Sequence, residues 1–195
     1  IGMYTFFSCY GLSGDWEIPN SITSIGEMAF SKCTGFNGTI KLSQSSTSIG
    51  NYAFSSCINL RGDLKIPESV IFIGCGAFFN CQNLNGILKI PNGISAINNY
   101  TFYCCSNLKG FLEIPKSITF IGHSAFYNCS NFIGSLVFSK TVVEIEKYAF
   151  SGCLNISKLQ IKNDRISLDD KSFANTNLSL VIYMGINDIK CGADV

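Results

Sequence analysis

Phenylalanine recurs in this chain at a nearly fixed interval, and that interval constrains the fold more than any other feature. The residue occupies positions 6, 30, 54, 78, 102, 126 and 150, a spacing of 24 each time, and then position 173. Cysteine keeps the same spacing at positions 9, 33, 57, 81, 105, 129 and 153. Self-similarity at such a period is typical of stacked repeats, so the sequence predicts a solenoid.

Other residue types share the period. The repeating unit reads Ala-Phe-x-x-Cys-x-Asn-Leu-x-Gly-x-Leu-x-Ile-Pro-x-Ser-Ile-x-x-Ile-Gly-x-x. Its Leu-x-Ile stretch alternates with period two and predicts a short strand, which Pro ends because Pro lacks a backbone donor. Ile-x-x-Ile-Gly predicts that the chain returns along the other side. Ala-Phe-x-x-Cys fits about one helical turn, which points Ala, Phe and Cys toward the interior.

The predicted fold class is a repeat solenoid, α/β or mainly β. It has one parallel strand per repeat of ~24 residues and a short helical or 3-10 turn on the other side. We expect a single domain of about eight coils over residues 1–184, followed by a C-terminal tail or cap over residues 185–195. Because the chain enters in mid-unit, we also expect it to be a piece of a longer protein.

Residues 65–81 read Lys-Ile-Pro-Glu-Ser-Val-Ile-Phe-Ile-Gly-Cys-Gly-Ala-Phe-Phe-Asn-Cys, and residues 113–129 repeat the pattern. This unit resembles the leucine-rich repeat superfamily, and more narrowly its BspA-like (Treponema-type) group. The resemblance implies a right-handed superhelix or arc. It also implies a cell-surface or secreted adhesin of the kind that binds host matrix proteins such as fibronectin or fibrinogen.

Composition argues against several function classes. Lys plus Arg is 14 and Asp plus Glu is 13, so the chain lacks the basic surplus that nucleic acid binding requires. The longest nearly uncharged apolar run, residues 178–186, is about half of a membrane span. The chain has one His and no phosphate loop or nucleophile elbow. We therefore expect no enzyme and no cofactor or metal.

The cysteine column has two readings. Buried, reduced thiols are favoured because free Cys packs as a small apolar residue, and the chain lacks a metal-binding pattern. Occasional disulfides that involve the off-register Cys75, Cys104 or Cys191 are the alternative, since adjacent coils bring Cα atoms close enough. His123 occupies a corner of variable polar residues, which predicts a solvent-facing side chain rather than a catalytic partner of Cys129.

An asparagine column precedes the strand. We expect its amides to bond the turn backbone of neighbouring coils, because Asn satisfies such groups locally. Five Asn-x-Ser/Thr sequons are only weak support for secretion in a chain so rich in Asn and Ser. They lie at Asn37, Asn99, Asn128, Asn155 and Asn177.

The strand positions beside the inward Leu vary from repeat to repeat, and alternation points them outward. The candidate partner-binding residues on this strand face are Lys41, Lys65, Ile87, Lys89, Phe111, Glu113 and Val137. Stacked lysines cost stability unless an acid such as Asp63 offsets them. An exposed Phe among charges is typical of a recognition anchor. A rival outward row carries Phe72 and Phe120.

The sequence therefore favours a non-enzymatic interaction module whose strand face binds a protein or a glycan. A cell-surface or secreted location follows from the resemblance alone, and a cytoplasmic location stays open. The alternative function is an intracellular or structural repeat scaffold without a ligand of its own.

Overall fold

The computed structural model describes residues 1–184, and every regular element in that range is a short β-strand. The strands are β1 (Trp16–Glu17), β2 (Ser24–Ile25), β3 (Ile40–Lys41), β4 (Ser48–Ile49), β5 (Leu64–Lys65), β6 (Phe72–Ile73), β7 (Leu88–Lys89), β8 (Ala96–Ile97), β9 (Phe120–Ile121), β10 (Gly134–Phe138), β11 (Glu144–Ile145), β12 (Ile156–Ile161), β13 (Ser167–Leu168) and β14 (Leu180–Tyr183). All pairs between them are parallel, which confirms the predicted solenoid.

The strands form two rows along the solenoid. The first strand row holds β1, β3, β5, β7, β10, β12 and β14, and the second holds β2, β4, β6, β8, β9, β11 and β13. Paired residues lie one repeat apart, as Leu64 with Leu88 in the first row and Ile49 with Ile73 in the second. Each coil therefore rests on the next in register, as the sequence period predicts.

The expected helical turn is wrong, because the Ala-Phe-x-x-Cys segment consists of consecutive β-turns. In one coil the N–H groups of Ala53, Ser55 and Cys57 donate to carbonyls three residues back. The alternate N–H groups of Tyr52, Phe54 and Ser56 donate to the next coil at 2.7–2.8 Å. Half of the donors thus pair between coils as in a parallel sheet, whereas a helix would satisfy its donors internally.

The phenylalanine column forms the centre of the core. Its rings stack from coil to coil, with centroids 5.4 Å apart between Phe54 and Phe78 and 5.7 Å apart between Phe78 and Phe102. Both Phe78 and Phe102 are buried. The period-24 column is therefore a continuous stack of apolar rings, as the sequence predicts.

The cysteine column lies beside this stack and is buried from Cys33 to Cys153. The cysteines of the described residues are free thiols, which agrees with the favoured reading. The thiol of Cys57 donates to the Phe30 carbonyl of the preceding coil at 3.0 Å, and Cys81 donates to Phe54 in the same way. Each thiol therefore fills the core and also links two coils.

The C-terminal part of the described chain ends in β14, whose side chains are all exposed. This strand lies in the apolar run that begins at Leu178. The predicted tail or cap over residues 185–195, with Cys191, lies outside the described residues. Within residues 1–184, the chain forms no apolar helix of membrane-spanning length.

Candidate partner-binding face

The first strand row presents its variable residues to solvent. All seven candidate residues are exposed, and the inward residues between them are buried. Phe111 is the most exposed of the apolar candidates at 63%, ahead of Ile87 at 55% and Val137 at 36%. Strand alternation thus places these side chains on one outward face, as the sequence predicts.

The lysines of this face are paired with carboxylates rather than left as a stack of like charges. Lys41 Nζ lies 2.7 Å from Glu17, and Lys65 Nζ lies 2.9 Å from Asp63. Lys89 pairs with Glu68 at 3.1 Å. The expected repulsion is therefore offset at each lysine, and Asp63 is one of three acids that do so. Sequence reasoning missed Glu68 because it lies beyond the strand, after Pro67.

Two of these carboxylates also tie neighbouring coils together. Asp63 accepts the backbone N–H of Ile87 at 2.9 Å, and Glu68 accepts that of Asn92 at 3.0 Å. These backbone donors, with the adjacent lysines, lower the pKa of Asp63 and of Glu68 below the usual carboxyl values. Both acids therefore stay ionised at neutral pH, and each accepts a backbone N–H of the next coil.

The hydrogen-bonded ladder of the first row is interrupted at the segment of residues 111–114. Among the described residues, no backbone or side-chain group of Phe111, Leu112, Glu113 or Ile114 has a hydrogen-bond partner. The preceding β7 pairs only with β5, and the following β10 pairs only with β12. The sheet order also breaks between β3 and β5, but each of those strands keeps a partner on its other side.

A groove lies on each side of this segment. The larger, of about 710 Å³, lies between the segment and β7, with Leu88 and Ile90 among its apolar lining. The smaller, of about 420 Å³, reaches Val137 and Lys162. Phe111 borders both grooves. The structure thus brings together Lys65, Ile87, Lys89, Phe111 and Glu113 at the larger groove, whereas Lys41 lies outside it.

The sequence reading missed Lys116, which borders both grooves. It follows the strand and the Pro column, so an alternation argument confined to the strand does not reach it. The corresponding positions of neighbouring repeats hold Glu68 and Asn92, and this variable polar occupancy was the available signal.

The rival outward row is less prominent. Phe72 is 49% exposed in β6, and Phe120 is only half-buried in β9. Both belong to the second strand row, where the ladder runs through β9 without a gap. This row therefore offers an exposed ring but no interrupted ladder at Phe120.

A strip of half-exposed aromatic residues was not predicted. Phe79, Tyr103 and Tyr127 stack at centroid distances of 4.7 and 4.9 Å. Because their rings face one another, mainly their edges reach solvent. The spacing of 24 between these three residues was the signal that could have revealed the strip.

His123 lies in this strip and is half-buried, not simply solvent-facing. Its ring makes edge contacts with Tyr100 at 5.2 Å and Tyr148 at 5.9 Å. Cys129 is buried, and its thiol donates to the Phe102 carbonyl at 3.0 Å. The thiol therefore points into the core, which argues against a catalytic pair with His123.

The asparagine column forms the predicted ladder. Asn59 donates to the Thr34 carbonyl at 2.8 Å, and Asn107 donates to Gln82 at the same distance. Asn83 instead donates to the Asn59 side chain at 3.4 Å. The amides thus link coils, and their side chains are used structurally.

A family model described as the BspA type leucine rich repeat region matches the chain in 6 copies, over residues 1–133 and 62–179. A search of curated proteins found no match. The solenoid is similar to a leucine-rich repeat protein from Bacteroides ovatus, with a TM-score of 0.66 and 24% identity over 94% of this chain and 58% of that one. The chain thus spans little more than half of the Bacteroides protein.

Two further structures share the fold. The Treponema pallidum leucine rich repeat protein aligns with a TM-score of 0.71 and 23% identity, over 83% of this chain and 75% of that chain. A leucine rich cell surface protein from Faecalibacterium prausnitzii aligns with a TM-score of 0.56 and 21% identity, over 93% of this chain and 63% of that chain. With its repeat columns, its parallel solenoid and the family match, the chain belongs to the BspA-type leucine-rich repeat family.

Proposed function

We propose that the chain is a non-enzymatic protein-interaction module and that its first strand row is the binding face. The observation that carries this proposal is the position of Phe111. It is 63% exposed, it borders both grooves, and charged residues such as Lys89 and Glu113 surround it. An aromatic anchor inside a polar rim is the usual centre of a protein-binding site.

The module belongs to a cell-surface or secreted adhesin whose partners are extracellular proteins, with fibronectin and fibrinogen as the first to test. Membership of the BspA-type family supports this location. The Faecalibacterium protein of the same fold, which is described as a cell surface protein, supports it as well.

The binding face is tested by measuring how the wild-type chain and two variants bind immobilised fibronectin and fibrinogen. Phe111→Ala should weaken binding by at least about tenfold, because truncating an anchor aromatic typically costs about 2 kcal/mol or more. Phe72→Ala is the matched control, since it removes an exposed ring from the rival row, and it should bind like wild type. Both variants should melt within a few degrees of wild type.

A loss of binding with Phe72→Ala alone would move the site to the second strand row. Equal binding by all three proteins would remove the first strand row from consideration. Lys89→Ala extends the test to the polar rim, where we expect a smaller loss because Lys89 is an exposed residue paired with Glu68.

The second candidate function is a structural repeat scaffold, favoured by the extent to which the Asn and acidic side chains are already used in inter-coil bonds. The location of the protein in its native cells separates the two. Surface exposure on intact cells supports the adhesin, whereas retention inside the cell supports the scaffold.

A further inference from the structure

The coil that contains β7 and the following coil separate over one stretch. They are tied where Lys109 N–H donates to the Gly86 carbonyl at 3.0 Å and again where Thr119 N–H donates to Ser95 at 2.8 Å. Between these ties the first-row ladder is absent among the described residues. The buried Ser117 hydroxyl lies in the same stretch and has no partner.

A comparison with an earlier coil shows what this separation removes. There, Ser69, which lies two repeats before Ser117, donates its hydroxyl to the Ser46 carbonyl at 2.7 Å. Likewise, Leu64 N–H donates to Ile87 in the step from β5 to β7. The step after β7 has neither kind of bond, so its polar groups face a groove instead of a neighbouring coil.

The direction of the free backbone groups follows from the parallel ladder. Ile66 N–H donates to the Lys89 carbonyl at 3.2 Å, so the groups of Lys89 point toward β5. Because direction alternates along a strand, the C=O of Leu88 points the other way, toward the larger groove. By the same alternation, the N–H and C=O of Glu113 point back toward Leu88. The groove is therefore bordered by strand edges with free donors and acceptors.

The side chains at this groove define the chemistry of an occupant. Its lining includes Leu88, Ile90 and Ile114, which suit apolar side chains. Among the described residues, Lys116 and Glu113 have no ion-pair partner, and neither has Lys162 at the smaller groove. Lys116 is thus an unpaired cation at the larger groove, and it suits an occupant that carries a carboxylate beside it.

We infer that the larger groove binds an extended, apolar segment of a partner protein that carries an acidic residue and pairs as an added β-strand with one edge of the groove, the backbone of Glu113. Strand addition to an open sheet edge is a common mode of peptide recognition, in which the main chain provides affinity and the flanking side chains provide specificity. The groove volume of about 710 Å³ lies within the roughly 300–1,000 Å³ of typical ligand sites. This inference rests on the proposed function of the first strand row.

The probe for the test is a phage-displayed library of random nonapeptides, selected on the wild-type chain. The most enriched peptide is then synthesised with a fluorescent label, together with versions that carry one N-methyl group at each backbone position in turn. We expect acidic, alternating apolar sequences to be enriched. N-methylation should weaken binding about tenfold at alternate positions and little at the positions between them, because only every second N–H faces the protein edge.

Two variants at one position separate backbone pairing from side-chain contact. Glu113→Ala removes the carboxylate only, whereas Glu113→Pro also removes the backbone N–H that faces the groove. We expect Glu113→Pro to bind the labelled peptide about tenfold more weakly than Glu113→Ala. Thermal melts report whether each variant folds, and the N-methyl series on the wild-type chain does not depend on either variant.

The outcomes distinguish this inference from the proposed function. A uniform response to N-methylation, or failure to enrich any peptide, overturns strand pairing. If Phe111→Ala still reduces fibronectin or fibrinogen binding in that case, the proposed function stands without it. If Phe111→Ala binds both proteins and the peptide like wild type, the proposed function fails as well.

Discussion

The cysteine column shows how one residue type serves two physical roles. Burial raises the pKa of the Cys81 thiol to about 12 and that of Cys153 to about 12 as well. The protonated thiols fill core space, and their S–H groups donate to phenylalanine carbonyls of the preceding coil. Both the core packing and the hydrogen bonds of this column therefore require the protonated form of the thiols.

This burial predicts a loss of stability at alkaline pH. In the unfolded chain a thiol titrates near pH 8.5, whereas in the folded chain Cys81 keeps its proton to about pH 12. The folded-state pKa is raised, so its stabilising effect is complete below about pH 8.5 and is lost as the pH rises toward 12. Each such thiol should contribute a slope of about 1.4 kcal/mol per pH unit in that window.

The measurement is the free energy of unfolding by urea from pH 8 to pH 11. Cys81→Ala and Cys153→Ala should each make the slope shallower by about 1.4 kcal/mol per pH unit, and the double variant by about twice that. Their lower stability at pH 8 does not affect this readout. Slopes equal to wild type would show that the column does not hold its protons.

At the scale of the element, the turn segment depends on residues in the left-handed region. Ser56 has φ of 57°, and the corresponding residue two repeats later, Cys104, has φ of 54°. Gly152 takes the same position with φ of 77°. A side chain with a Cβ costs energy there, and a β-branched one costs most.

This geometry predicts that Ser56→Val is less stable than Ser56→Gly by about 1–3 kcal/mol, measured by urea denaturation. The matched control is Ser48 in β4, where the same two substitutions should show the opposite order, because strands favour Val over Gly. The same order at both positions would contradict the role of the left-handed backbone.

A side-chain amide can also replace a backbone hydrogen bond of the ladder. In the second strand row, Gly74 N–H donates to Ile49 and Gly122 N–H donates to Ile97, both at 2.8 Å. Asn98 stands in the same column, and its side-chain amide donates to the Ile73 carbonyl at 2.6 Å. The sheet order breaks between β6 and β8 at this point, but the carbonyl is still satisfied.

At the scale of the whole molecule, the inter-coil ladders differ in continuity. The turn segments are hydrogen-bonded across the step where the first strand row opens, since Phe78 N–H donates to Thr101 at 2.9 Å and Phe102 N–H donates to Ala125 at 2.8 Å. The solenoid is therefore held together along its turns while its strand face opens beside Phe111.

Hydrogen exchange of the free protein should reveal this difference. The amide hydrogens of Glu113 and Ile114 should exchange faster than those of Phe78 and Phe102 by a factor on the order of 100 or more, because only the latter pair are hydrogen-bonded in the core. Exchange resolved by residue with NMR measures the ratio. Equal protection at these four amides would show that the strand ladder is closed in solution.

The period of 24 residues was enough to predict the parallel solenoid, the stacked rings and the buried thiols, because the register of a repeat stack is set by which side chains coincide from coil to coil. Alternation also predicted that Phe111 and Ile87 face outward. The turn segment was mistaken for a helical turn. The pattern Ala-Phe-x-x-Cys fits a helical turn and a pair of β-turns equally well, and only the hydrogen bonds between coils distinguish the two.

Only the tertiary structure decided where the strand ladder opens. The residues of 111–114 fit the repeat pattern as well as those of β7, yet they have no hydrogen-bond partner among the described residues. The pairing of Lys89 with Glu68 was likewise invisible in the strand pattern. The repeat columns of the sequence show which side chains share a position in the coil. The distance between two coils, however, depends on how all the side chains between them pack together.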